Sequence, residues 1–268
     1  MSSINTNINS LTAQRNLAAT ANTLATSMNR LSSGLRVNSA KDDAAGLAIA
    51  ERMDSQTRGM NVAIRNANDA ISLSATAEGA LGAISNNLQR MRELAVQASN
   101  GTNTSSDIAT LDKEFQLLSS ENTRVASATK FNGQAVIADT TFAFQVGANS
   151  VAADDTISVA SASYAGTATS LGTDTSTAIS QISALDADIN TVTSARATWG
   201  ASQNRFDTVI SNLQVGSTNS AAARGRIMDA DYATETANLS RAQVLQQAGT
   251  AMVAQANQQP QSVLALLK

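Results

Sequence analysis

Neither cysteine nor histidine occurs in the 268 residues. That excludes a disulfide framework, a thiol nucleophile, a zinc site of the usual ligands and an imidazole acid–base near neutral pH. Proline occurs once, at Pro260, which leaves nearly the whole chain open to long, unkinked helices. Aromatic residues make up 3% and apolar residues 43%, much of that alanine. Burying alanine removes little area from water, at roughly 25 cal/mol per Å², so a thick globular core is a poor fit. Extended helical bundles suit the composition better, because alanine favours helix and lets helices approach closely. No apolar run reaches the roughly 18 residues of a spanning helix, so no membrane insertion is expected. The first residues lack a charged segment followed by an apolar core, so export without a cleaved signal is expected. A net charge of −3 gives no reason to expect nucleic acid as a partner.

What is present concentrates at the two ends. Leu17, Ala21, Leu24, Met28, Leu31 and Leu35 follow alternating four- and three-residue steps, preceded by Ile4, Ile8 and Leu11. Leu239, Ala242, Leu245, Met252, Val253, Ala256, Val263 and Leu267 keep a looser version of that stripe. A mean period near 3.5 residues packs helix against helix along a seam, so each end is the natural partner of the other. Residues 1–40 and 236–268 carry bases and no acid, whereas no base occurs between Lys130 and Arg196. Basic ends and an acidic middle fit the inner and outer zones of an assembly. The polar faces of the ends are Asn, Gln, Ser and Thr, so they lack the charge pairs that support a lone helix. Residues 1–40 and 230–268 are therefore expected to be disordered in the monomer and to order when neighbours supply packing.

Between the ends, the chain reads mainly as α-helix: a long antiparallel helical bundle or coiled coil with a small β-hairpin patch. Ser32-Ser33-Gly34 should end the first helix, and Ser39 with Asp42 has capping-box spacing for the next. The second helix runs from about 42 to 99, with Gly59 the candidate break, and carries two apolar stripes. Asn100-Gly101 closes it and Thr104 with Asp107 opens a third. Phe131-Asn132-Gly133 is turn chemistry, and 134–160 contains short β-prone runs. Residues 161–177 are Ser, Thr, Gly and Ala with little to pack, which predicts a mobile loop. A helix over 176–213 follows, with Ile182, Leu185, Ile189, Val192, Trp199, Phe206 and Ile210 on one heptad face for bundle packing. Gly216 and Gly225 should loosen the chain before Asp229 or Asp231 caps the last helix. The bundle should thus occupy 41–229, as a unit separate from the paired ends.

Catalytic chemistry has little to work with. Lys41-Asp42-Asp43 and Asp229/Asp231/Glu235 sit at helix starts, where acids cap, and Asp154-Asp155 marks a turn. None has calcium-loop spacing, and Gly79 and Gly82 lie within a helix rather than in a phosphate loop. No enzyme activity, cofactor or metal is expected.

Long strings in both halves carry a resemblance to bacterial flagellins. Ile4-Asn5-Thr6-Asn7, Ser10-Leu-Thr-Ala-Gln-Arg-Asn-Leu17, Leu31-Ser-Ser-Gly-Leu-Arg36 and Ser39-Ala-Lys-Asp-Asp-Ala-Ala-Gly-Leu-Ala-Ile49 are similar to that family's opening. Thr76-Ala-Glu-Gly-Ala-Leu81, Leu88-Gln-Arg-Met-Arg-Glu-Leu-Ala-Val-Gln-Ala98 and Phe131-Asn-Gly133 continue it. Gln203-Asn-Arg-Phe206, Ile227-Met-Asp-Ala-Asp-Tyr232 and Ala251-Met-Val-Ala-Gln-Ala-Asn257 resemble its closing region. The match spans roughly 1–147 and 178–268. It implies a helical homopolymer, the extracellular flagellar filament, with the terminal helices as inner core and the bundle as tube wall. Core assembly then falls to Leu17, Leu24, Met28, Leu31, Leu35, Leu239, Leu245, Met252, Val263 and Leu267. The implied partners are the type III export apparatus, an export chaperone at about 235–268, and the filament cap and hook-associated proteins. The resemblance also implies recognition by the vertebrate Toll-like receptor for flagellin, at Gln89, Arg90, Leu94 and Glu114. Only residues 148–177 separate hairpin and last long helix, too few for bulky outer domains, so the filament should be slim. A hook–filament junction protein is the nearest alternative, but it should have a larger middle. A chemoreceptor-like coiled coil or a membrane-inserting translocator would need features absent here.

Overall fold

The computed structural model describes residues 6–265. Six helices and four short strands occur in the order α1 (Ile8–Ser33), α2 (Ala44–Ala98), α3 (Ser105–Ala128), β1 (Lys130–Phe131), β2 (Gln134–Ala135), β3 (Thr140–Gln145), α4 (Ala152–Asp155), β4 (Thr156–Ser161), α5 (Thr175–Met228) and α6 (Tyr232–Ala265). Two compact units result: Met1–Ser55 with Asn219–Lys268, and Gln56–Thr218. The ends therefore share their unit with the flanking turns of α2 and α5, further into the chain than residues 40 and 230.

Local chemistry sets the helix boundaries. Gly34, at φ 71°, closes α1 by donating its amide to the Arg30 carbonyl. The Ser39–Asp42 box does not start α2: Asp42 instead accepts from the Asn38 and Ser39 amides and the Ser39 hydroxyl, closing a turn. The cap falls four residues beyond Ser39, where Asp43 accepts from the Gly46 amide at 2.8 Å. Thr104 and Asp107 form a reciprocal capping box at α3. Asp174 accepts from the Thr177 amide at 2.7 Å to start α5, and Asp231 accepts from the Ala233 amide at 3.0 Å to start α6. The Asp107 and Asp231 carboxyls are held below their ordinary pKa chiefly by threonine hydroxyls, from Thr104 and Thr234, and that of Asp174 chiefly by the Thr177 amide.

Two expected breaks are absent. α2 runs unbroken past Gly59, and α5 continues through Gly216 and Gly225 to Met228. A Cβ on Gly59 would stand 2.9 Å from the Ala148 Cβ, and one on Gly216 3.2 Å from the Met60 Sδ. Both glycines make room for a neighbour within a helix.

In the 56–218 unit, α3 and α5 run antiparallel to α2. Asn87 pairs with Asn122 and Arg90 with Glu114 on one side; Arg92 pairs with Asp186, Glu78 with Arg196 and Asn61 with Ser217 on the other. The core draws Ile84, Leu88, Met91 and Leu94 from α2, Ile108 and Phe115 from α3, and Leu185, Val192, Trp199 and Phe206 from α5. Ile182, Ile189 and Ile210 pack partly buried against it. Asn132 (φ 49°) and Gly133 (φ 81°) make the two-residue turn joining β1 to β2. β3 and β4 pair antiparallel, Thr140 opposite Ser161. Phe142 lies 6.4 Å from Trp199 and Phe144 meets Phe206 edge-on at 5.4 Å, which seats this hairpin on α5.

Residues 161–177 are not a free loop. Ala168 and Leu171 are fully buried in the core. Asp188 accepts from the Thr167 amide and hydroxyl, and Asp112 from the Leu171 amide and Ser170 hydroxyl. Two carboxylates on neighbouring helices supply the backbone partners that the segment's own sequence lacks.

Candidate functional site

The paired ends form the candidate assembly surface. α1 and α6 run antiparallel: Asn7 donates to the Ala256 carbonyl at 2.7 Å, Ser10 to Asn257 at 2.7 Å, and Arg30 stands 3.9 Å from Glu235 at the other end. Below that pair, Leu35 bridges Asp229, and the Arg36 amide and guanidinium donate to the carbonyls of Met228 and Ile227. Val37, Ala50 and Met228 close a small core there.

The seam between α1 and α6 takes up only part of the stripe of large apolar residues. On α1 the covered positions are Ser10, Ala13, Leu17, Thr20, Leu24, Ser27 and Leu31, in unbroken three- and four-residue steps. On α6 they are Glu235, Leu239, Ala242, Gln246, Gly249, Val253 and Ala256, in the same rhythm. The two helices come close where Gly249 faces Leu17: a Cβ on Gly249 would lie 3.1 Å from Leu17 Cδ1. Glu235 is 7% exposed, an acid whose charge is matched by Arg30.

Several of the expected assembly residues therefore take a different place. Leu17, Leu24, Leu31 and Leu239 are half-buried in the seam, and Leu35 is half-buried against the small core. Met28, Leu245 and Met252 lie off the seam, with Ile8, Leu11 and Val244, each more than half exposed. The physical reason is periodicity: Met28, Leu245 and Met252 stand one step to the side of the covered positions on their helices, so they flank the seam and stay open to solvent. Leu267 lies outside the described residues, as do Ile4 and the side chain of Val263. A groove of about 800 Å³ runs between the helices, lined by Leu17, Leu245, Gly249 and Met252 among others. The sequence signal that would have found the true seam is the seven-residue repeat Glu235–Ala242–Gly249–Ala256, which a search for hydrophobic residues passes over.

The second candidate surface lies on α2 and α3. Arg90 donates to Glu114 at 3.0 Å and to Glu93 at 3.0 Å, with Gln89 exposed beside it. These hydrogen bonds, Glu114 first, raise the Arg90 pKa above its ordinary value. Leu94 does not belong to this surface: it is 1% exposed and packs in the bundle core, since it falls on the inward stripe of α2. Among the described residues no helix is long and apolar enough to cross a membrane, and no cluster of metal-ligating residues forms.

Comparisons with known proteins agree at both ends. Residues 4–141 match the bacterial flagellin N-terminal helical region, and residues 182–267 its C-terminal helical region. A flagellin of Halalkalibacterium halodurans is 47% identical over 270 residues, covering 99% of each chain. Flagellin B of Vibrio cholerae is 34% identical across an alignment of 371 positions, covering 98% of this chain and 99% of its own. The crystal structure of Bacillus cereus flagellin aligns with a TM-score of 0.51 and 39% identity, over 60% of this chain and 94% of that one. The chain belongs to the bacterial flagellin family and is a structural subunit of the extracellular flagellar filament.

Proposed function

We propose that the outward faces of α1 and α6 are the surfaces through which copies of this flagellin polymerise, the two ends of each chain forming the inner core of the filament. One observation carries the reading. Ile8, Leu11, Met28, Val244, Leu245 and Met252 are 51–65% exposed on a helix pair whose own seam is made by other residues. Large apolar side chains left over on a finished pair are what a neighbouring copy would cover. The 56–218 unit supplies the tube wall, with its core closed within one chain. Such a role needs no catalytic group, and a hook–filament junction role has no observation in its favour.

The helix pair has few charged groups on its polar faces, which supports disorder of residues 1–40 and 230–268 in the free chain and ordering on assembly. Passage through a type III export apparatus as an unfolded chain, with no cleaved signal, accords with the absence of cysteine crosslinks. An export chaperone would hold residues 235–268 until release, shielding Leu245 and Met252, and the filament cap and hook-associated proteins would meet the same ends. The Toll-like receptor surface reduces to Gln89, Arg90 and Glu114, where an exposed guanidinium is held by two carboxylates.

Seeded polymerisation tests the central reading. Chain dissociated by heat and returned to neutral buffer with short seeds should give long thin filaments, and removal of residues 1–35 or 235–268 should abolish them. Soluble chain at high concentration with seeds present would contradict it. Arg90→Ala should weaken receptor signalling by free chain in a reporter-cell assay without stopping filament growth; equal signalling would remove Arg90 from the receptor surface.

A further inference from the structure

Methionine is this chain's only sulfur, in seven residues. Their environments differ sharply. Met91 is fully buried in the bundle core and Met228 is 6% exposed, whereas Met28 is 56% and Met252 63% exposed. Each of these two is the single methionine of its helix, α1 or α6, and each lies off the seam. Met252 also lines the groove beside Leu17 and Leu245.

We infer that Met28, toward the Arg30–Glu235 end of the helix pair, and Met252, toward the Leu17–Gly249 end, are two separate oxidation sites through which a hydroperoxide acting on the free chain switches off its competence to assemble. The inference rests on the reading that these faces become covered in the filament. The chemistry is a two-electron oxygen transfer. A thioether sulfur attacks one oxygen of hydrogen peroxide, the O–O bond breaks as the S–O bond forms, and the second oxygen leaves as water. Sulfur is oxidised and the peroxide reduced, so no further reagent is needed. The product carries a strong acceptor dipole on what was an apolar, flexible side chain. In the free chain water satisfies it. On a face covered by a neighbour's apolar residues it must be desolvated without a donor, and the packing is weakened. Because assembly covers the same sulfurs, a filament resists the oxidant that disables its free subunits.

The test uses the full chain and hydrogen peroxide, with peptide mass mapping and seeded growth as readouts. In the free chain Met28 and Met252 should each gain one oxygen before Met91 does. Seeded growth should then need about tenfold more protein or stop, and treatment with the two methionine sulfoxide reductases should restore it. In the variant Met28→Leu/Met252→Leu the same peroxide treatment should leave seeded growth at the variant's own untreated rate, whatever that rate is, because neither leucine takes up oxygen. Growth of doubly oxidised wild type at the untreated rate would overturn the inference. So would loss of growth in the treated variant to the same extent as in treated wild type. Preformed filaments separate the two levels of the argument. Oxidation of Met28 and Met252 in filaments as fast as in free chain would contradict the assembly-face reading itself. Protection there, with normal growth of oxidised subunits, would sink the oxidation switch alone.

Discussion

The Asp188 carboxylate lies 2.9 Å from both the amide and the hydroxyl of Thr167, and so ties the segment between β4 and α5 back onto α5. Asp188 is 7% exposed and also accepts from the Ala168 amide. Removing the carboxylate leaves buried donors unsatisfied, at about 1–3 kcal/mol. Asp188→Ala should therefore lower stability by that order and speed hydrogen exchange at Thr167 and Ala168. Unchanged exchange at both amides would mean that burial of Leu171 alone holds the segment.

The glycines of the long helices separate by what surrounds them. At Gly200 a Cβ meets nothing within 4 Å, whereas at Gly59 it meets the Ala148 Cβ at 2.9 Å and Cα at 3.3 Å. Helix propensity favours alanine over glycine by about 1 kcal/mol at either site. Gly200→Ala should raise the thermal midpoint of the free chain, and Gly59→Ala should lower it, because Ala148 has no flexible side chain to move aside. A rise at both positions would show that the turn around Ala148 yields freely.

The long helices were legible because proline occurs only once, at Pro260 near the end of α6, and because the bundle face repeats in heptads from Ile182 to Ile210. The Thr104–Asp107 box was equally plain. Other features were hidden for physical reasons. Gly216 and Gly225 read as breaks, yet packing against neighbours outweighs a glycine's modest cost within a helix. The segment 161–177 carries no periodic signal, since its partners Asp112 and Asp188 are remote in sequence. The α1–α6 seam mixes Ser, Ala, Thr, Gly, Gln and Glu with Leu17, Leu24, Leu31, Leu239 and Val253, so it carries no continuous apolar signal, and Met28, Leu245 and Met252 fall beside it rather than in it. Leu94 falls on the inward stripe of α2, which a matching string does not reveal.

Acid should loosen the helix starts together. Asp107, Asp174 and Asp231 are each held below the ordinary carboxyl value by hydrogen bonds that need the ionised form. A depressed folded-state pKa contributes stability that is complete above the unfolded value. That stability is lost as pH falls through the folded one. Helicity of the free chain should therefore begin to fall only below about pH 4. Asp107→Asn with Asp174→Asn should flatten the pH dependence of helicity by circular dichroism. An unchanged acid transition in that variant would place its cause elsewhere.

The central claim is that the outward apolar residues of the paired ends, rather than their seam, join one copy to the next. Leu245 is 51% exposed, so Leu245→Glu places its charge in water in the free chain and against a neighbour's apolar surface in a filament. Seeded growth of Leu245→Glu, read by electron microscopy beside the circular dichroism of the free chain, tests this directly. The expected result is an unchanged helical spectrum with no elongation from wild-type seeds. Elongation at the wild-type rate and protein concentration would contradict the account.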